Sequence, residues 1–199
     1  MTNFLRKTFK SLLTAIASWL DQLGISPDLL TVFGTLGHMF TAWIISQSYL
    51  VFGALSLLFF GVFDALDGSL ARLQNREDNF GAFLDSVCDR ISEVAVFLGI
   101  FLLFIARGSF AGCLMVFLAG CVSMMVSYAR ARAESLGILP SLGLMTRVER
   151  YLVLFLALLF DRIEVGLMVI IALGLFTIGQ RIYFVYQCLH VEQIKQHKH

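Results

Sequence analysis

Long apolar runs separated by short polar segments dominate the chain, and six of them read as membrane spans, at residues 29–48, 51–72, 82–106, 109–132, 146–160 and 163–187. A helix needs about 20 apolar residues to cross a hydrocarbon core of about 30 Å, and all but the fifth run reach that length. The fifth is therefore predicted to start before Arg147. Ahead of the spans, Phe4, Leu5, Phe9, Leu12, Leu13, Ile16, Trp19 and Leu20 recur at helical spacing opposite Arg6, Lys7, Lys10 and Asp21. This stripe predicts an amphipathic helix lying on a membrane surface. Ser26-Pro27 then marks the start of the first span, because the first turn of a helix makes no use of the N–H that proline lacks. The expected fold is an all-α integral membrane protein, with an N-terminal amphipathic interfacial helix within 1–25 and six transmembrane helices within 26–190. Together they are read as a single domain over 1–199.

Composition agrees: 58% of the 199 residues are hydrophobic and 15% are charged, against roughly 25% charged in soluble domains. A net charge of +1 gives no reason to expect a nucleic-acid partner. The distribution of cations carries more information. With six spans, Arg6, Lys7, Lys10, Arg72, Arg76, Arg90, Arg130, Arg132, Arg147, Arg150, Arg181, Lys195 and Lys198 fall on one side, and only Arg107 and Arg162 on the other. By the positive-inside rule both termini and the 73–81 and 133–146 loops are expected to be cytoplasmic, in a cell's inner membrane. The N-terminal segment lacks the apolar core and cleavage site of a secretory signal and is expected to stay attached. Cys88, Cys113, Cys121 and Cys188 lie in apolar runs without C-x-x-C spacing, which favours buried free thiols over a zinc site. His38 is expected to be packed and hydrogen-bonded rather than a ligand, and His190, His197 and His199 to form a solvated tail.

Four acids stand out in this apolar background. Asp64, Asp67, Asp85 and Asp89 lie within or at the ends of two spans, where a charge is costly and marks a paired or functional group. On helices, Asp64 and Asp67 share one face by their i, i+3 spacing, and Asp85 and Asp89 share another by i, i+4. The short 73–80 connection makes the two helices antiparallel, so all four carboxylates can enter one pocket, where their repulsion must be neutralised. An oxygen-only donor set of this kind suits Mg²⁺ or Mn²⁺. Gly68, Ala71 and Gly81 on the same stretches either let helices pack closely or leave room for a ligand. Beside four acids the second reading is favoured.

The segment Asp64-x2-Asp67-Gly68-x2-Ala71-Arg72-x8-Gly81-x3-Asp85-x3-Asp89 resembles, position for position, the signature of the CDP-alcohol phosphotransferase family. The plan of one surface helix and six spans extends the resemblance over nearly the whole chain. The resemblance implies that Asp64, Asp67 and Asp85 hold metal ions, with Asp89 as a general base adjoining them. It also implies that Gly68, Ala71 and Arg72 contact the CDP portion of the donor, beside the opening left by Gly81. Pro27-Asp28-x2-Thr31 is similar to the family's Pro-Asn-x2-Thr, which lies close to the nucleotide, and departs from it in carrying Asp28 for Asn; a plain helix start explains Pro27 equally well. Two ions about 3.5–4 Å apart would clamp the diphosphate and offset charge on the departing CMP. A carboxylate would take the proton of the attacking hydroxyl.

The acceptor is read from outside this signature. Arg130, Arg150 and Arg181 could converge on a dianion, to which arginine makes paired, directional hydrogen bonds. Arg132 and Arg147 are better explained as topology markers, and Glu134 and Glu149 could pair with neighbouring arginines. Ser127-Tyr128-x-Arg130-Ala131-Arg132-Ala133-Glu134 and the later Glu149-Arg150 resemble the branch that makes phosphatidylinositol phosphate or its archaeal counterpart. That resemblance implies that the three arginines hold the phosphate of inositol phosphate, and that the donor is CDP-diacylglycerol or a similar CDP-lipid. Homodimers are common among similar proteins. Glycerol 3-phosphate as acceptor and CDP-inositol as donor are competing enzymatic readings. A cation transporter is the rival from another class, but its path needs polar groups along its whole length, whereas 94–104 and 114–122 are almost wholly apolar.

Overall fold

The computed structural model describes residues 13–74, 79–138 and 143–196. All regular structure among them is helical: α1 (residues 13–22), α2 (Pro27–Ser46), α3 (Leu50–Leu73), α4 (Asn79–Ala106), α5 (Phe110–Ser135), α6 (Arg147–Leu159) and α7 (Ile163–Gln196). The chain forms two compact units, Met1–Leu103 and Phe104–His199.

In the first unit, α2 starts where the sequence predicts. The Ser26 side chain caps it by accepting the Leu29 N–H at 3.3 Å, and Pro27 occupies the first turn. A turn with Ser48 in the left-handed region (φ 67°) returns the chain into α3. The two helices approach closely through glycines, since a Cβ on Gly37 would lie 2.0 Å from the Phe60 ring and one on Gly53 would lie 2.6 Å from Ile45. Small residues are how membrane helices gain van der Waals contact without a hydrophobic driving force between them. A hydrogen bond of 2.6 Å between the Thr41 and Ser56 hydroxyls ties the same pair. α4 joins α2 in the same manner, with Gly99 so near the Ala42 backbone that a Cβ would sit 2.5 Å from its carbonyl oxygen.

α1 uses part of its predicted stripe. Leu13, Ala17 and Leu20 pack on Leu30, Leu66 and Leu70, which flank Asp67, while Trp19 stands 60% exposed. Gln74, just after α3, donates to the Asp21 carboxylate at 2.8 Å and to the Ile25 carbonyl at 3.1 Å. α1 is thereby fastened to the end of α3 that carries the acids. Phe4, Leu5, Phe9, Leu12, Arg6, Lys7 and Lys10 lie outside the described residues, as do Arg76, His197, Lys198 and His199.

In the second unit, Ser109 caps α5 by accepting the Gly112 N–H at 3.1 Å. α5 packs on α7 where Gly174 meets Val122, and α6 packs on α7 where Gly166 meets Ala157. Arg107 and Asp161 pair at 3.1 Å beside the α6–α7 turn. The start of α6 corrects the sequence reading. The Glu149 carboxylate accepts the Thr146 N–H at 2.9 Å, a capping box that stops the helix at Arg147 instead of letting it begin earlier. At the other end, α7 runs to Gln196; His190 is exposed as expected but belongs to this helix, its ring stacked on Tyr186 at 4.7 Å.

Among the described residues, four helices are long and apolar enough to cross a membrane: α2, α3, α5 and the Ile163–His190 part of α7. α4 is long enough but carries Asp89, Arg90 and Glu93 in its middle. α6 has 13 residues, or roughly 20 Å of helix, which is short of a core of about 30 Å. None of the four cysteines forms a disulfide, but only Cys88 is buried and Cys121 is exposed. The expected burial of all four thiols therefore does not hold. His38 is buried, with Nδ1 at 2.8 Å from the Gly34 carbonyl, as expected of a packed residue.

Candidate functional site

Within the first unit, α2, α3 and α4 enclose a cleft of about 400 Å³ that gathers three of the four acids, Asp64, Asp67 and Asp85. Pro27, Thr31, Gly68, Ala71, Arg72 and Gly81 line the same cleft. Residues 27 and 31 come from the first turn of α2, and 64–72 from the last turns of α3. The chain thus brings together the start of α2 and the end of α3, which most of α2 and the first half of α3 separate in sequence.

Asp67 is the most deeply set acid, 5% exposed. Its Oδ2 accepts the Thr31 hydroxyl at 2.6 Å, and its Oδ1 accepts the Gly68 N–H at 2.5 Å. Thr31 is itself buried, and its hydroxyl has the Pro27 carbonyl as a second acceptor at 3.2 Å. One hydrogen bond on each oxygen fixes the plane of the carboxylate. Asp64 and Asp85 lie near enough to repel its charge. Arg72 folds back toward Gly68, its Nη2 donating to Ser69 Oγ at 3.3 Å.

Three carboxylates facing one cleft provide the hard oxygen donors that Mg²⁺ and Mn²⁺ prefer. Among the described residues no three acids, histidines or cysteines are drawn in to metal-ligand distances, so the cleft collects the donors without closing them into a cage. The donor chemistry fits: a buried carboxylate repelled by two others is a place where a divalent cation relieves unfavourable charge. Asp89 is one turn further along α4 and does not line the cleft; it is half-buried and pairs with Arg90 at 3.3 Å. Three lining residues were not singled out as ligands by the sequence: Asp28, Asn79 and Ala82. The spacing of 79, 82 and 85 at three-residue intervals was the available signal for the last two.

The three candidate acceptor arginines all belong to the second unit. Arg150 is 1% exposed, with Nη1 donating to the Met145 carbonyl and Nη2 to Ser127 Oγ, both at 3.2 Å. Arg181 is 3% exposed and donates through Nη1 to the Val126 carbonyl. Adjacent residues of α5 therefore anchor both guanidiniums. The positive charges of Arg130 and Arg150 both act on Arg181. Arg130 is more exposed and pairs with Glu134 at 2.8 Å, as that glutamate's position suggested. Glu149 instead caps α6. Arg132 is engaged by Ser135, and Arg147 lies 5.0 Å over the Tyr151 ring, so both find local partners.

Residues 24–180 match the CDP-alcohol phosphatidyltransferase family pattern. The archaetidylinositol phosphate synthase of Methanothermobacter thermautotrophicus is 35% identical over 195 residues, covering 95% of this chain and 96% of that one. The phosphatidylinositol phosphate synthase of Mycobacteroides abscessus is 32% identical over 190 residues, covering 90% and 86%. A crystal structure of the Mycobacterium tuberculosis phosphatidylinositol phosphate synthase with CDP-DAG bound superposes with a TM-score of 0.81 at 30% identity, over 88% of this chain and 94% of that one. Its complex with manganese and citrate gives 0.80 at 31% identity, over 87% and 88%.

Proposed function

The chain belongs to the CDP-alcohol phosphatidyltransferase family, and from that premise we propose that it transfers a phosphatidyl group from CDP-diacylglycerol to inositol phosphate, releasing CMP. The observation that carries the reading is the cleft in which Asp64, Asp67 and Asp85 meet Gly68, Ala71, Arg72 and Gly81. Asp64, Asp67 and Asp85 hold divalent metal, Mn²⁺ or Mg²⁺ and two ions in our reading, which neutralises the donor diphosphate and the charge that gathers on departing CMP. Manganese in the related synthase supports that assignment.

Around it, the chain's own groups have separate tasks. Pro27, Thr31, Gly68, Ala71, Arg72 and Gly81 seat the CDP moiety, the small residues admitting it close to the backbone. Asp89, one helical turn from Asp85 and on the same face of α4, takes the proton of the attacking hydroxyl. The hydroxyl oxygen bonds to the phosphorus that carries the lipid, and the bond from that phosphorus to the bridging oxygen breaks, so CMP leaves with that oxygen. Arg130, Arg150 and Arg181 hold the phosphate of the acceptor.

We read all six helices α2–α7 as crossing the membrane, with α4 carrying its charges on faces turned to protein. We read α1 as an amphipathic helix lying at the membrane interface. The cation distribution supports a cytoplasmic active site with both termini on that side, in a cell's inner membrane. A homodimer is part of the same reading.

Purified protein in detergent with Mn²⁺ and CDP-diacylglycerol tests the acceptor: CMP release is expected with inositol phosphate. Release with glycerol 3-phosphate alone would overturn the assignment. The cleft geometry adds a further expectation. Thr31→Val removes the hydroxyl that orients Asp67 and should weaken Mn²⁺ binding roughly tenfold, as loss of a ligand-orienting partner generally does, whereas Thr31→Ser should bind normally. A Mn²⁺ titration followed by electron paramagnetic resonance, without donor, reads this directly, and equal affinities would show that Asp67 needs no such support.

A further inference from the structure

Thr177 lies on α7 and is completely buried. Its hydroxyl donates to the Leu173 carbonyl at 2.8 Å, and its oxygen accepts the Met145 N–H at 3.2 Å. Met145, also buried, passes the constraint on, because its carbonyl accepts from Arg150 Nη1 at 3.2 Å. One residue of the α5–α6 connection is thus held at both its backbone groups, by α7 on one side and by the arginine on the other. Gly143 lies against the same surface: a Cβ there would sit 3.0 Å from Arg181 Nη2 and 3.1 Å from Thr177 Cγ2. The segment 143–146 therefore runs across Thr177 and Arg181 and ends at the cap of α6, four residues before Arg150.

We propose that Thr177 is a positioning residue for the acceptor-phosphate pocket, acting through the Met145 backbone to fix the guanidinium of Arg150. The proposal rests on the reading that Arg150 binds the acceptor phosphate. A guanidinium recognises phosphate through paired bonds of fixed geometry, so its orientation matters as much as its charge. Thr177 keeps the first turn of α6 in register with α7, and Ser127 fixes the second Nη.

The test compares Thr177→Val, which keeps the shape and loses the hydrogen bond, with Thr177→Ser, which keeps the bond. Thr177→Val is expected to raise the acceptor KM roughly three- to tenfold, the effect of one hydrogen bond. Its kcat at saturating acceptor and its KM for CDP-diacylglycerol should stay within about twofold of the parent by the same reasoning. Thr177→Ser should restore the acceptor KM. If Arg150→Ala leaves the acceptor KM unchanged, the acceptor reading itself falls, and the positioning role with it. If Arg150→Ala raises that KM but Thr177→Val does not, only the positioning role is overturned. A general packing role would show as a loss of kcat and a rise in both KM values in Thr177→Val that Thr177→Ser does not repair, and that outcome also overturns the proposal.

Discussion

Asp89→Asn is expected to lower turnover by about 10²- to 10⁴-fold, the usual contribution of a general base, while CDP-diacylglycerol still binds. Asparagine keeps the size of the side chain and one acceptor oxygen, but its amide cannot take up the proton of the attacking hydroxyl. The substitution leaves the cleft intact, since Asp64, Asp67 and Asp85 line it and Asp89 does not. It also removes the charge paired with Arg90, whose side chain is 30% exposed. The asparagine oxygen can still accept from that guanidinium. The measurement is kcat at saturating substrates, beside donor binding by calorimetry. Turnover within a few-fold of the parent would remove Asp89 from the role of base, and loss of donor binding would make it part of the donor site instead.

The second large effect is expected at Arg150. Arg150→Ala deletes a buried guanidinium and should raise the acceptor KM by about 10- to 100-fold, the range for a charge-assisted hydrogen bond or two. The KM for CDP-diacylglycerol should not follow it. The same substitution leaves the Met145 carbonyl and Ser127 hydroxyl without this partner, so a loss of thermal stability is also expected. Arg150→Lys separates the two consequences. It restores charge without the planar fork and should recover only part of the acceptor affinity. A rise confined to the donor KM in Arg150→Ala would place the acceptor pocket elsewhere.

How far each of these features could be read from sequence depended on how local its cause is. The carboxylates were legible because membrane burial makes an acid conspicuous and because helical spacing fixes which acids share a face. Ser26 and Pro27 were legible because a cap is a property of four consecutive residues. The start of α6 was misjudged by counting apolar residues toward a full span. Thr146 and Glu149 spell a capping box, and that local bond decides the boundary. The hold of Thr31 on Asp67 joins residues 36 positions apart, and that of Thr177 on Met145 joins residues 32 apart. Threonine in an apolar helix looks the same whether it bonds to its own backbone or to another helix. For α1, the stripe showed which face is apolar but not that Leu30, Leu66 and Leu70 would cover part of it.

The most direct test of the central claim is the product pair formed in lipid vesicles. Purified protein would be reconstituted with CDP-diacylglycerol, supplied with Mn²⁺ and inositol phosphate, and the lipid and nucleotide products identified by mass spectrometry. If the claim holds, CMP and phosphatidylinositol phosphate form in equal amounts, with neither formed when the acceptor is omitted. Phosphatidic acid and CMP appearing equally with and without inositol phosphate, or no CMP under any condition, would contradict it.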